Sequence, residues 1–292
     1  MTLDAKVDAY IRELQENLHR AETTIVGHRA ELHELRARGI DLAAGPLATF
    51  VREGRAGQAL AASTRNRRLC VLRAFTGYLV RGGFLESDPT ADIAWTRLPP
   101  SRRTAFTVPE LQRAMAVFRA EEPTWQRIRD EAAFEILFQT GLRISELTGL
   151  DLGQVSVSEG VLRRVRRKGG GILDIVLNDE ACAAFRRWLR VRPASASATV
   201  FIGGYRQHRL TVRHFQRRFV KVGLAAGLGS GLTPHSLRHA HATALLRLGI
   251  SLEIIRQSLN HTSVRTTQLY LHTDDEILRE ALGQMPSLTD GP

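Results

Sequence analysis

Residues 232–272 read LTPHSLRHAHATALLRLGISLEIIRQSLNHTSVRTTQLYLH, and the punctuation of this stretch predicts a run of short helices. Thr233 followed by Pro234 reads as an N-cap with proline at the first helical position. His235 and Arg238 then lie three apart, on one face of the first turn of that helix. A guanidinium there adds its fork to the unpaired N–H groups of a helix start, which suits a phosphate. Gly249 ends the helix and Ser251 opens the next. Asn260-His261 interrupt that one, and a last short helix carries Tyr270. A phosphate grip, imidazoles and one phenol in so short a stretch point to a nucleophile aimed at a phosphodiester.

The rest of the composition agrees with a polyanionic partner. The chain has 292 residues, enough for one large or two ordinary domains with real cores, and a formal charge of +11. From Ala181 to Leu252 there are twelve basic residues and no acidic one. A solvated surface normally mixes signs, so the missing carboxylates favour nucleic acid over an arginine bias in codon usage. Cys70 and Cys182 have no paired spacing, which fits a reducing compartment without a disulfide scaffold. The N-terminus lacks the apolar core of a signal peptide, and no apolar run reaches the ~18 residues of a membrane span. A soluble, cytoplasmic protein is expected. A metal site is not: Ser236 stands where a zinc-protease motif needs glutamate, His239 and His241 cannot share a helical face, and no cysteine or carboxylate cluster completes a ligand set. The phosphate-loop pattern of ATP-binding proteins is absent too, so no cofactor is implied.

Outward from the quoted stretch, periodicity changes once. Residues 3–37 read as two helices, a third short one lies around Pro46–Arg52, and Thr64–Gly82 forms the strongest helix of the first half. Its apolar stripe is Leu69, Leu72, Phe75 and Leu79, with Arg65, Arg67, Arg68 and Arg73 on other faces. The Pro/Arg-rich WTRLPPSRRTAF at 95–106 is a linker, and Thr107-Val-Pro-Glu110 restarts the chain with a capping box. An amphipathic helix over Arg129–Gln139 breaks at Gly141, and Arg143 follows in the first turn of the next helix. Its options are an ion pair with Glu146 at i+3 or a phosphate. The segments Val155/Val157, Val161–Lys168 and Ile172–Leu177 alternate as a small antiparallel sheet turning through Gly169-Gly170-Gly171. Within the cation run that ends this hairpin, only Lys168 can lose its proton near neutrality. Thr211–Leu224 is a helix whose apolar side is Val212, Phe215, Phe219 and Val222. Arg213, Arg217 and Lys221 make a basic stripe on it, with Arg218 beside them.

Taken together, His235-Ser-Leu-Arg238-His239, Leu259-Asn260-His261, Thr266-Thr267-Gln268-Leu269-Tyr270 and Thr140-Gly-Leu-Arg143-Ile-Ser-Glu-Leu147 resemble the signature of the tyrosine recombinases, the phage integrase family, with an Xer-like layout. The resemblance covers nearly the whole chain. It implies a mainly α fold: a helical core-binding (SAM-like) DNA-clamp domain over 1–98, a linker at 99–106, and an α+β catalytic domain over 107–292 with a small antiparallel sheet. Residues 274–285 would form a C-terminal helix that relatives exchange between subunits. It implies catalysis by Arg143, Lys168, His235, Arg238, His261 and Tyr270, without metal or ATP. Two departures stand out: Arg167 precedes the lysine where the family has glycine, and Asn260 replaces the glycine before His261. Arg65, Arg68, Arg166, Arg167, Arg213, Arg217, Arg218 and Lys221 are the expected DNA contacts. The expected partner is a double-stranded DNA recombination site, bound by a homo-tetramer. A type IB-like topoisomerase and a catalytically silent DNA-binding regulator on the same scaffold are the rivals.

Overall fold

Each stretch with a 3.6-residue apolar period in the first hundred residues buries its stripe against the others. The computed structural model describes residues 2–20, 22–98, 105–167, 171–204, 208–259 and 282–286. The chain divides into two units, Met1–Arg102 and Arg103–Pro292.

In the first unit, α1 (Leu3–Arg12) runs into a π-helical turn, followed by α2 (Glu22–Ala37), α3 (Ala44–Arg52) and α4 (Ala62–Arg81). Leu69, Leu72, Phe75 and Leu79 of α4 are buried with Leu32, Leu35, Leu47 and Phe50. Tyr10 joins that core, its ring 5.3 Å from those of both Phe75 and Tyr78. Its hydroxyl is hydrogen-bonded to His28 Nδ1 at 2.9 Å. Burial pushes the phenol's pKa up, so Tyr10 is a packing tyrosine.

One expectation for α4 is corrected. Arg68 does not face outward. Its Nε donates to Glu31 at 2.9 Å and its Nη1 to the carbonyls of Phe50 and Glu53, with the guanidinium 4.1 Å above the Phe50 ring. It is 4% exposed and joins α2, α3 and α4 from inside. Arg65 is half-buried and donates to Leu60 O at 2.7 Å.

The second unit opens at Thr107, whose backbone N–H donates to Glu110 at 2.7 Å in the capping box of α5 (Val108–Ala120). Next comes α6 (Trp125–Thr140), predicted amphipathic but buried all round from Arg129 to Thr140. Some of its buried charges meet partners from distant segments. Asp130 accepts from Arg129 and Arg218, and Arg129 Nη1 donates to Ile202 O at 2.9 Å. Such pairing is what allows charges into a core.

After α7 (Ile144–Gly149), strands β1 (Val155–Ser156), β2 (Val161–Arg166) and β3 (Ile172–Val176) form an antiparallel sheet in that order. Leu162 pairs with Ile175 but Val165 with Leu173, so β2 carries one extra residue there. Arg164 takes a left-handed φ of 52° in this bulge, and its N–H donates to Asp174 at 2.7 Å. The bulge shifts the phase so that Leu162 and Val165, an odd number apart, both enter the core.

The unit closes with α8 (Asp179–Val191), α9 (Val212–Ala225), α10 (Pro234–Arg247) and α11 (Leu252–Ser258). Leu282 and Met285 are buried in the same core, and Asn178 donates to Leu282 O at 2.9 Å. The helix expected over 274–285 falls mostly outside the described residues.

Candidate active site

The site grows from two helix junctions. Gly141 ends α6 in a left-handed conformation, φ 61°, and turns the chain so that Arg143 becomes the N-cap of α7 rather than a first-turn residue. Three residues on, the Glu146 carboxylate returns to this cap. One oxygen accepts from Arg143 N at 2.8 Å, and the other from Arg143 Nη1 at 3.0 Å. The Arg143 side chain stays a quarter exposed, whereas that of Glu146 is 2% exposed.

At the second junction, Thr233 and Ser236 cap the start of α10 reciprocally, each side chain accepting from the other's N–H at 3.2 and 2.8 Å. His235 lies exposed in the first turn. Arg238, expected on the same face, instead points inward, 5% exposed. Its Nη1 donates to Gly141 O at 2.6 Å and its Nη2 to Leu259 O. Arg238 therefore ties α10 to the turn before Arg143 and to the end of α11. Burial first, then the neighbouring positive charge of Arg143, lowers its pKa to about 10, so it stays protonated at neutral pH.

Sequence reasoning misplaced a third arginine. Arg167 and Arg166, both predicted DNA contacts, follow the alternation of β2 and part ways: Arg166 is exposed and Arg167 is 3% exposed. Arg167 Nη1 donates to Glu146 at 3.1 Å and its Nη2 to Ser258 O at 3.0 Å. It lies among Arg143, Glu146 and Arg238, where three guanidinium groups surround one carboxylate and leave a surplus of two positive charges. Such a surplus of positive charge attracts anions.

Beneath it, His241 is buried, its Nδ1 2.7 Å from Phe138 O. Burial lowers its pKa to about 4, so the ring is neutral at pH 7 and the hydrogen bond fixes Nδ1 as the donor. His239, on the same helix, is exposed. Among the described residues no group of three or more His, Cys, Asp or Glu side chains gathers in one place.

On α9, Phe215, Phe219 and Val222 are buried while Arg213, Arg217 and Lys221 are exposed along one stripe. Arg218 is the exception and a correction. It is bound to Glu121 through both terminal nitrogens and to Asp130 at 3.1 Å, and it lies 4.9 Å from the Phe118 ring. That side chain locks α9 to α5 and α6. Lys168, His261 and Tyr270 lie outside the described residues. Glu146 was legible as the i+3 partner of Arg143. Its second partner was not, because it comes from a strand 21 residues away.

The sequence profile of the phage integrase family matches residues 105–276. Tyrosine recombinase XerC of Azotobacter vinelandii is 32% identical over 298 residues, covering 97% of this chain and 96% of the relative. Tyrosine recombinase XerD of Yersinia pestis is 33% identical over 279 residues, 91% of each chain. Among solved structures, the Tn1549 transposon integrase, determined in complex with a circular intermediate DNA, superposes with a TM-score of 0.70. That match has 17% identity and covers 94% of this chain and 99% of that one, a likeness of fold.

Proposed function

This chain belongs to the phage integrase family, and from that premise we propose that it is a site-specific DNA recombinase that cuts and rejoins strands through a tyrosyl ester. The observation that carries this is the partly buried cluster of Arg143, Glu146 and Arg238, in which two motifs almost a hundred residues apart meet at Gly141 O. Arg143 and Arg238 hold the non-bridging oxygens of a DNA phosphate and offset the charge that gathers on them in the transition state.

Tyr270 attacks the phosphorus. The new bond joins its oxygen to the 3′ phosphate, and the 5′ oxygen leaves with a proton from Lys168. His235 orients or deprotonates the phenol, and His261 hydrogen-bonds the phosphate. The ester conserves the energy of the broken bond, so attack by another strand's 5′ hydroxyl reseals the backbone without ATP. The exposed stripe of Arg213, Arg217 and Lys221, with Arg166 and Arg65, contacts the duplex backbone. Recombination of two duplexes breaks and rejoins four strands, one per active site, so the working form is a homo-tetramer on two sites, acting on DNA in the cytoplasm. The first unit serves as the helical DNA-clamp domain and the second as the catalytic domain.

The test uses two duplexes of different length carrying a site selected by the protein from a random-sequence pool. Recombinant products joining one labelled duplex to the other are expected. Relaxation of supercoils with no joined products would replace this function by that of a topoisomerase.

A further inference from the structure

Arg167 is a costly residue to bury. Its side chain is 1% exposed, Arg143 repels it, and its Nε finds no hydrogen-bond partner among the described residues. A buried ion pair of this kind is weak evidence for stability, because desolvation offsets most of the attraction. An unpaired buried donor costs more still. The cost points to a role in the site rather than in folding.

Its geometry says what that role is. One guanidinium spans three elements: it grows from the end of β2, reaches Glu146 on α7, and donates to Ser258 O at the end of α11. Arg238 binds the next carbonyl, Leu259 O, so two guanidinium groups cap the last carbonyls of α11 together. On α7, Arg167 Nη1 and Arg143 N share one Glu146 oxygen, leaving the other to Arg143 Nη1. Without Arg167, Arg143 would be the one side chain of the three arginines still donating to the buried carboxylate, which would draw it onto itself.

We propose that Arg167 is a positioning residue for phosphoryl transfer. It takes up part of the charge of Glu146 and fixes α7 against the end of α11, so that Arg143 and Arg238 remain directed at the phosphate. This rests on the reading that those two arginines hold a DNA phosphate.

The test is single-turnover cleavage of a nicked duplex carrying the selected site, with DNA affinity measured separately. Arg167→Gln is expected to lower the cleavage rate at saturating protein by roughly 10–100-fold while changing Kd less than about threefold, as misplacement of a catalytic group does. Arg167→Lys, which keeps the charge but cannot span Glu146 and Ser258 O, is expected to recover only part of it. Adding Glu146→Gln to Arg167→Gln removes the carboxylate that Arg167 offset, and is expected to restore at least about fivefold. Cleavage by Arg167→Gln within about threefold of wild type would overturn the proposal. Strictly multiplicative losses in the double variant would do the same. If Arg167→Gln does not fold, Arg167→Lys and the double variant decide by the same criteria. If wild type forms no covalent complex on the selected DNA, it is the phosphate reading that has failed.

Discussion

Between α6 and α7 the backbone enters a conformation that costs an L-residue about 1–2 kcal/mol, and the space around it is already taken. A Cβ on Gly141 would lie 2.5 Å from His241 Cδ2 and 2.6 Å from Leu259 Cδ2. The carbonyl of the same residue accepts from Arg238. Gly141→Ala should therefore lower stability by about 2–4 kcal/mol, read by urea unfolding, and reduce cleavage even below the denaturation temperature. A loss under about 1 kcal/mol would mean that the junction is not tight. The neutral His241 beneath it sets a pH dependence. Its folded pKa of about 4 lies below the usual 6.5, so between those values the unfolded chain binds more protons. Stability then rises with pH across that window and is lost as pH falls from 6.5 to 4, by about 3 kcal/mol in all. Urea unfolding between pH 7.5 and 4.5 checks this. His241→Gln should be less stable at pH 7.5 but show a flatter decline.

At the scale of elements, α9 separates two kinds of arginine that look alike in sequence. Arg213, Arg217 and Lys221 are exposed, so each alanine substitution should lower DNA affinity and reduce the slope of log K against log salt by roughly 0.9. Arg218→Ala should instead lower the melting temperature, because it opens the ties to Glu121 and Asp130. Equal effects of Arg217→Ala and Arg218→Ala on both readouts would contradict this division. The apolar stripe of α9 was legible as a 3.6-residue period, and so were the caps at Thr107 and Thr233 and the existence of the hairpin. What hid Arg68, Arg167 and Arg218 is the distance to their partners: a cation on a helix or strand looks solvated until the carboxylate it meets is known. Those carboxylates lie 37, 21 and 88–97 residues away in sequence. The same blindness made α6 look amphipathic, although Asp130, Glu131 and Glu135 on it are buried.

At the scale of the whole molecule, similarity to the XerC and XerD relatives runs through both units, so the chain is read as one machine rather than a catalytic module alone. The proposed function gives the arginine cluster a DNA phosphate to hold. The chemistry proposed for it depends on a phenol at position 270. The most direct measurement is trapping on a duplex with a nick just 3′ of the scissile phosphate, from which the freed fragment diffuses away. Wild type should accumulate as a covalent protein–DNA species whose DNA-linked peptide contains Tyr270, and Tyr270→Phe should accumulate none. A covalent complex still formed by Tyr270→Phe, or linked through another residue, would contradict the tyrosyl ester.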